Sequence, residues 1–198
     1  GNVEVGDEPV AGPRRDTGVV FQAPVLMPWR TIFKNVMFPI ESLGLTPSDY
    51  HDHANELLEM TGLGGFGDNF PSELSGGMQQ RVAICRALIH NPNLLLMDEP
   101  FSALDAITRD TMNQELLRIW EMRPTTMVFV THSIEEAVLM GDRVCVLKGR
   151  PSSVFEMVDV DIPHPRSRAT LSEPRFAEVR EHVWSTLMDE ARKAEFDV

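Results

Sequence analysis

Near the middle of the chain, residues 94–99 read LLLMDE. An unbroken apolar run of this kind is typical of a strand in a parallel sheet that is covered on both faces. Two adjacent carboxylates, Asp98 and Glu99, follow the run at the edge where such sheets place their ligands. One carboxylate there can hold Mg²⁺, and the next can polarise a water that attacks a phosphate. The alternative is a strand that simply runs into an acidic turn.

Similar short apolar runs lie on both sides of this stretch. They are VVF at residues 19–21, TMVFVT at 126–131 and RVCVL at 143–147. Each is rich in β-branched or aromatic residues, which favours a strand, and we expect 126–131 to be buried.

Helical patterns fill the segments between these runs. Apolar residues recur at helical spacing over 78–89 and over 107–120. Ser133 and Glu136 are spaced as a capping box for the next helix, which Gly141 ends. Strands that alternate with helices predict an α/β domain with a mostly parallel sheet flanked by helices.

A second motif precedes the first. Residues 74–81 read LSGGMQQR, in which a serine and two glycines stand directly before a predicted helix. Glycines let backbone N–H groups approach an oxyanion, and the helix N-terminus adds a favourable dipole. The alternative is an ordinary helix cap, because Ser and Gly also suit that position.

Composition narrows the class of protein. The chain has 198 residues and a formal charge of -12, which gives no general attraction to a nucleic acid backbone. It shows no secretory signal and no apolar run long enough to cross a bilayer. Its only cysteines, Cys85 and Cys145, both lie in apolar segments, so we expect two buried thiols in a reducing compartment.

The motifs taken together resemble those of one family. LSGGMQQR, LLLMDE, then SALD at residues 102–105 and Thr131-His132 follow the order and spacing of ABC ATPases. They resemble the signature, Walker B, the D-loop and the switch histidine, and VFQ at 20–22 resembles the Q-loop. A lone histidine after a strand is usually structural, but the place of His132 downstream of the carboxylates favours a functional role.

The resemblance implies an ABC-type P-loop NTPase domain with a small helical subdomain, and ATP and Mg²⁺ as cofactors. By that resemblance Asp98 contacts Mg²⁺, Glu99 is the catalytic base and His132 contacts the γ-phosphate. Gln22 joins the metal and water shell and senses the transmembrane partner.

The remaining implied roles concern a second copy of the domain. Ser75, Gly76 and Gly77, with Gln79 in the same signature, cap the γ-phosphate of ATP that the other subunit holds. Asp105 helps to couple the two sites of this head-to-tail dimer.

One expected motif is missing from the sequence. Phosphate binding in this family uses G-x-x-x-x-G-K-[ST], and none of Lys34, Lys148 and Lys193 stands in that pattern. We therefore expect the domain to be truncated at its N-terminal side, and this chain to be inactive alone. In the fold it resembles, we expect the absent part to include a strand beside the 94–97 strand and a helix packed on the sheet.

Finer features resemble importers of nitrate, sulfonate, taurine and related small solutes. They include MPW at 27–29, Phe66 and Pro71 before the signature, and VDVDIPHPR at 158–166. Trp29 and Phe33 are equally consistent with docking to a membrane subunit and with a place in the core.

This resemblance implies an ATPase subunit at the cytoplasmic face of the inner membrane, peripheral to it. Its partners would be transmembrane permease subunits, a second ATP-binding subunit and, indirectly, a solute-binding protein, but not nucleic acid. We expect a partial ATP-binding domain over 1–165, with a helical subdomain at about 33–90, and a C-terminal linker and helix over 166–198. The alternative is a non-hydrolytic ABC-like scaffold that contributes only the signature face to a dimer.

Overall fold

A computed structural model describes residues 2–102, 104–149 and 152–196 of the chain, with side chains to residue 189. Gly1 of the expected 1–165 domain and Ala103 of SALD lie outside the described residues. The chain divides into two compact units. One comprises Gly1–Leu104 with Thr125–Val128, and the other comprises Asp105–Pro124 with Phe129–Val198.

The first unit contains a sheet and a group of helices. Its strands are β1 (Glu4–Val5), β2 (Glu8–Pro9), β3 (Thr17–Val20), β4 (Leu94–Asp98) and the first part of β5 (Thr126–Val130). Its helices are α1 (Ile32–Val36), α2 (Phe38–Ser42), α3 (His51–Met60) and α4 (Gly76–Leu88), with short 3₁₀ turns at Pro47–Tyr50 and Pro71–Glu73. The β1–β2 pair is a small antiparallel hairpin.

The strand order in the main sheet is β3-β4-β5. β3 and β4 run parallel, with Thr17 opposite Leu94 and Val20 opposite Met97. This parallel pairing confirms the α/β class that the sequence predicts. Both edges of β4 are hydrogen-bonded, so the expectation of a further strand beside residues 94–97 is wrong: β5 takes that edge.

Helix α4 packs on β3, where Val20 is fully buried, and Leu95 and Met97 of the adjacent β4 are almost fully buried as well. The approach is close, because a Cβ at Gly18 would lie 2.4 Å from the Ala87 carbonyl oxygen of α4. Glycine is therefore required at this position of β3.

The opposite face of the sheet is open in this chain. Val19 of β3 is 38% exposed, and Val128 and Val130 of β5 are 50% and 49% exposed. The prediction of a buried strand at 126–131 is therefore wrong, since no described part of the chain covers those side chains. The apolar composition of β5 indicated its conformation correctly but not its burial.

The helices of the first unit enclose a core of their own. It consists of Ile32, Val36, Met37, Ile40, Ala54, Leu57, Leu58, Leu63, Leu74, Val82, Cys85 and Ile89. At its edge the fully buried Asn35 organises the loop before α1: its amide accepts from Met27 N and donates to the carbonyls of Met27, Arg30 and Thr31. This loop carries Trp29, which is 74% exposed.

The second unit contains α5 (Ala106–Met122), α6 (Ile134–Met140), β6 (Arg143–Lys148), β7 (Ser153–Asp159) and α7 (Pro174–Phe196), with a 3₁₀ turn at Arg168–Ser172. β6 and β7 pair antiparallel. Helix α7 packs on α6 and on this ribbon, burying Phe176, Val179 and Val183. No described helix combines the length and apolar character needed to cross a membrane.

A buried arginine joins the chain after β7 to α6. The Arg166 side chain is 1% exposed. Its guanidinium donates to the carbonyl of Gly141, just beyond α6, at 2.8 Å. It also donates to the carbonyl of Val138, in the last turn of α6, at 3.2 Å. It also donates to Ile162 O at 2.7 Å. Burial lowers the pKa of Arg166, and Asp142 partly offsets this effect.

The two cysteines differ in exposure, which corrects the expectation of two buried thiols. Cys85 is buried in the helical core, whereas Cys145 is exposed. The reason is the alternation along β6, where Val144 and Val146 point inward and Cys145 lies on the other face. The Cys85 thiol lies 3.3 Å from Thr61 Oγ1, and burial raises its pKa to about 12.

This difference predicts selective alkylation. Iodoacetamide at neutral pH should label Cys145 of the native chain rapidly and leave Cys85 unmodified, because only a solvent-accessible thiol that can form thiolate reacts. Intact-mass spectrometry should give one adduct under native conditions and two in denaturant. Labelling of both thiols at equal rates in the native chain would contradict the burial of Cys85.

Candidate nucleotide site

The site begins where β4 ends. Asp98 is the last residue of β4 and is exposed, and Glu99 follows it in a turn. Glu99 has φ 42°, a left-handed conformation that a non-glycine residue adopts at a cost. Residues 99–102 form the turn, in which Ser102 N donates to Glu99 O at 3.2 Å and Phe101 is fully buried.

The parallel register brings Gln22 to the same place. β3 ends at Val20 opposite Met97, and the same register continued by two residues sets Gln22 opposite Glu99. The Gln22 Nε2 amide donates to Glu99 Oε2 at 3.2 Å and to Ser102 Oγ at 3.2 Å. Of the predicted site residues, the structure thus brings Gln22 and Glu99 together, directly after Asp98. Sequence analysis did not identify Ser102 as a site residue, because nothing in the sequence indicated that its hydroxyl would contact Gln22.

These groups fit a divalent cation. With its Nε2 committed to Glu99 and Ser102, Gln22 keeps its carbonyl oxygen as a possible ligand. The exposed Asp98 carboxylate supplies another oxygen. Oxygen donors of this kind suit Mg²⁺, which binds through one or two carboxylates and completes its shell with water and phosphate oxygens.

The signature residues form the start of α4. Ser75 is the N-cap, and its Oγ accepts from Met78 N at 3.3 Å. The side chain of Gln79 turns back to the preceding loop and donates to Pro71 O at 2.9 Å and Leu74 O at 3.2 Å. A Cβ at Gly76 would meet nothing within 4 Å, so packing within the chain does not require glycine there.

Two further side chains of α4 hold the Gln22 segment, by which we mean residues 21–25. Gln80, which is 3% exposed, donates from Nε2 to Phe21 O at 3.1 Å. Arg86 donates to Pro24 O and to Val25 O, both at 2.8 Å. Burial lowers the pKa of Arg86. Sequence reasoning missed both residues, because a polar side chain at helical spacing is ordinarily read as part of a solvated face.

Asp105 and His132 belong to the second unit. Asp105 is the N-cap of α5 and accepts from Ile107 N at 3.1 Å and Thr108 N at 3.0 Å. The hydroxyl of Thr108 also donates to it at 2.6 Å, and this bond is the main reason that the pKa of Asp105 is lowered. His132 is exposed and follows β5, between Thr131 and Ser133.

The predicted capping box at α6 forms only in part. Ser133 Oγ accepts from Glu136 N at 3.3 Å, as expected. The Glu136 carboxylate, however, accepts from Thr131 Oγ1 at 2.6 Å, and the Ser133 backbone N–H donates to Thr131 Oγ1 at 3.0 Å. The competing hydroxyl of Thr131 therefore takes both bonds that a reciprocal box would have used.

The parallel α/β sheet carries paired carboxylates at a strand end and a glutamine from the neighbouring strand, an arrangement typical of nucleotide hydrolases. Comparison with known proteins then gives the family. Residues 1–102 match the family described as ABC transporter. An uncharacterized ABC transporter ATP-binding protein of Methanocaldococcus jannaschii is 47% identical over 194 residues, which cover 98% of this chain and 72% of that protein.

An aliphatic sulfonates import ATP-binding protein of Bacillus cereus is 40% identical and aligns with 92% of this chain and 70% of its own length. Among solved structures, a dimeric ATP-binding cassette in a post-hydrolysis state, bound to ADP and Pi, superimposes with a TM-score of 0.70. It is 32% identical, and the match covers 82% of this chain and 74% of that one. This chain belongs to the ABC transporter family, among its ATP-binding proteins.

The contacts of α4 with the Gln22 segment give a prediction. Replacing Gln80 with Leu together with Arg86→Met removes three donors to backbone carbonyls of residues 21–25. Backbone order parameters from NMR relaxation at residues 22, 23, 25 and 26 should then fall, because the segment loses its anchors, while those of α4 stay unchanged.

Arg81→Met is the matched control, because Arg81 of the same helix donates to Thr61 O instead. It should leave the order parameters of residues 22, 23, 25 and 26 unchanged. Equal order parameters in the double variant and the wild type would mean that other contacts hold the segment.

Proposed function

We propose that this chain is the part of a bacterial ABC importer's ATP-binding subunit that carries the hydrolytic carboxylates and the signature. The observation that carries the proposal is the Gln22–Glu99 hydrogen bond at the carboxyl end of β4. This bond holds two groups side by side next to the exposed Asp98: an amide that can bind a metal, and a carboxylate that can act as a base. Family membership supports ATP as the substrate.

Each site residue has a chemical role in this proposal. Asp98 and Gln22 would hold Mg²⁺, which would supply charge neutralisation at the phosphates when bound. Glu99 is the proposed general base, because its carboxylate accepts a bond from Gln22 and lies at the strand end where a water would be polarised. His132, exposed after β5, would contact the γ-phosphate.

The signature residues are proposed to serve the other subunit of a head-to-tail dimer. Ser75, Gly76 and Gly77 present the first turn of α4, whose N–H groups and dipole favour a phosphate. The open space at Gly76 fits close approach of a ligand from outside the chain. Gln79 would keep the preceding loop in place, and Asp105 would couple the two sites. A dimeric relative that holds ADP and Pi supports this arrangement.

Transport partners follow from the resemblance and from one exposed residue. We propose transmembrane permease subunits, served indirectly by a solute-binding protein, with the chain peripheral at the cytoplasmic face of the inner membrane. Trp29 is 74% exposed on a loop fixed by Asn35, which favours docking over a place in the core for that residue. Phe33 instead contacts His51, with ring centroids 4.6 Å apart and the ring planes tilted by 48°. The proposed solutes are nitrate-, sulfonate- or taurine-like, as the sulfonate-importer relative suggests.

The proposed division of the chain follows the same family pattern. The ATP-binding domain would span 1–165 with its helical subdomain at about 33–90, and a linker and helix would occupy 166–198. A formal charge of -12 argues against nucleic acid as a partner.

A second candidate function is a non-hydrolytic scaffold that contributes only the signature face to a dimer. One observation favours it: G-x-x-x-x-G-K-[ST] occurs nowhere in the 198 residues. Sequencing the complete gene distinguishes the two candidates, because that motif upstream of residue 1 would support the ATPase.

The proposed base gives a prediction for the subunit expressed from its complete gene. Glu99→Gln should preserve ATP binding and slow turnover by about 10²–10⁴-fold, because the amide keeps the shape but cannot take a proton. Phosphate release and ATP affinity are the measurements, with Glu121→Gln on α5 as a surface control. Near-normal turnover in Glu99→Gln would assign the base to another residue.

These 198 residues alone should neither bind ATP at micromolar concentration nor hydrolyse it. No lysine stands in a phosphate-binding pattern, and Asp98 and Glu99 present negative charge to a polyanion. Half-exposed Val128 and Val130 also favour loose packing or aggregation. Calorimetric titration with Mg-ATP, beside a thermal melt, tests this, and saturable binding with a sharp cooperative melt would contradict it.

A further inference from the structure

A turn of three residues connects β5 to α6 and contains His132. We call residues 131–133 the His132 turn. Its two outer residues are tied to each other, since the Ser133 backbone N–H donates to Thr131 Oγ1 at 3.0 Å. Both are also tied to Glu136: Thr131 Oγ1 donates to its carboxylate at 2.6 Å, and Ser133 Oγ accepts from its backbone N–H at 3.3 Å. His132 is thus held on both sides by contacts that lead to one residue.

Glu136 is buried to an extent that needs a reason. It is 6% exposed, although it lies in the first turn of α6, next to the exposed Glu135. Burying a carboxylate is unfavourable unless it is paired and hydrogen-bonded. Capping α6 does not require it, because Ser133 already caps the helix. Its shorter hydrogen bond to the turn is with Thr131, the residue directly before His132.

The other carboxylate oxygen of Glu136 faces α5. Arg109 Nε lies 3.8 Å from Glu136 Oε1, and the Arg109 side chain is itself one-third exposed. Arg109 stands one turn into α5, with its backbone N–H bonded to the carbonyl of Asp105 at 2.9 Å. Glu136 therefore joins the first turn of α5, which Asp105 caps, to the His132 turn.

We propose that Glu136 is a positioning residue for His132, which acts through Thr131, and that Arg109 links this position to the start of α5. The inference rests on the proposed function, in which His132 contacts the γ-phosphate. A change in the position of α5 at Asp105 would reach His132 through the pair Arg109–Glu136 and the hydroxyl of Thr131. None of these three residues needs to touch the nucleotide.

The test uses the subunit expressed from its complete gene. Thr131→Val removes the hydroxyl at constant shape, Thr131→Ser restores it, and Glu136→Gln removes the charge that faces Arg109. We expect kcat to fall about tenfold or more in Thr131→Val, with KM for ATP nearly unchanged and recovery in Thr131→Ser. Thr111→Val is the control, because that hydroxyl donates to the Ile107 carbonyl within α5.

Two further measurements separate positioning from plain stability. In a His132→Ala background, Thr131→Val and Glu136→Gln should lower kcat no further, since residues that act through one another are non-additive. The NMR signals of the His132 ring in the nucleotide-free subunit should shift in Thr131→Val and return in Thr131→Ser, with thermal melts recorded for all variants.

The outcomes distinguish the two proposals. If His132→Ala leaves turnover unchanged, the proposed role of His132 fails, and the inference built on it fails too. If His132→Ala is impaired while Thr131→Val and Glu136→Gln match the wild type, only the inference is overturned. A fall of kcat in Thr131→Val that is equally large without His132 also overturns it.

Discussion

The pairing of β3 with β4 is the contact on which the proposed site depends. It joins residues 17–20 to 94–97, so the intervening chain must close a long loop before the contact is favourable. The helices of that loop pack into their own apolar core, which offsets the entropy of closure. One register then determines the chemistry, because a shift of one residue would move Gln22 away from Glu99 and turn every side chain of β3 to the other face.

Helix α4 holds β3 and the Gln22 segment in place. It lies against β3 so closely that Gly18 leaves no room for a side chain beside the Ala87 carbonyl. Its N-terminus carries the signature residues, and further along it holds both ends of the Gln22 segment through Gln80 and Arg86. A helix that carries the proposed phosphate-binding turn and also holds the proposed metal ligand Gln22 would couple these two proposed functions mechanically, without any contact between the ligands themselves.

The sequence indicated conformation and chemistry better than burial and contact. The LLLMDE stretch predicted a strand that ends in carboxylates, because an apolar run and a pair of charges can both be read locally. The structure agrees, since β4 ends at Asp98. Burial of β5 could not be read in the same way: an apolar strand looks alike whether or not another segment covers it, and Val130 is 49% exposed. Cys145 was misjudged for a related reason, since its valine neighbours show only that one face of β6 is apolar.

The residues that sequence reasoning missed share a physical role. Asn35, Gln80 and Arg166 are all buried, and the hydrogen bonds of each hold a loop or a helix end. Glu136, which was predicted only as a capping residue, is buried too. Their partners lie up to 59 residues away, as for Gln80 and Phe21, so no local pattern could identify them. An apolar residue at such a site would fill the same space, often with little loss of stability when both partners are replaced. An apolar residue could not, however, fix the position of a backbone segment, because hydrophobic and dispersion interactions are not directional. The Gln22 segment and the His132 turn are therefore each held by a buried polar side chain, Gln80 in the first case and Glu136 in the second, which fixes their position in a way that apolar packing alone would not.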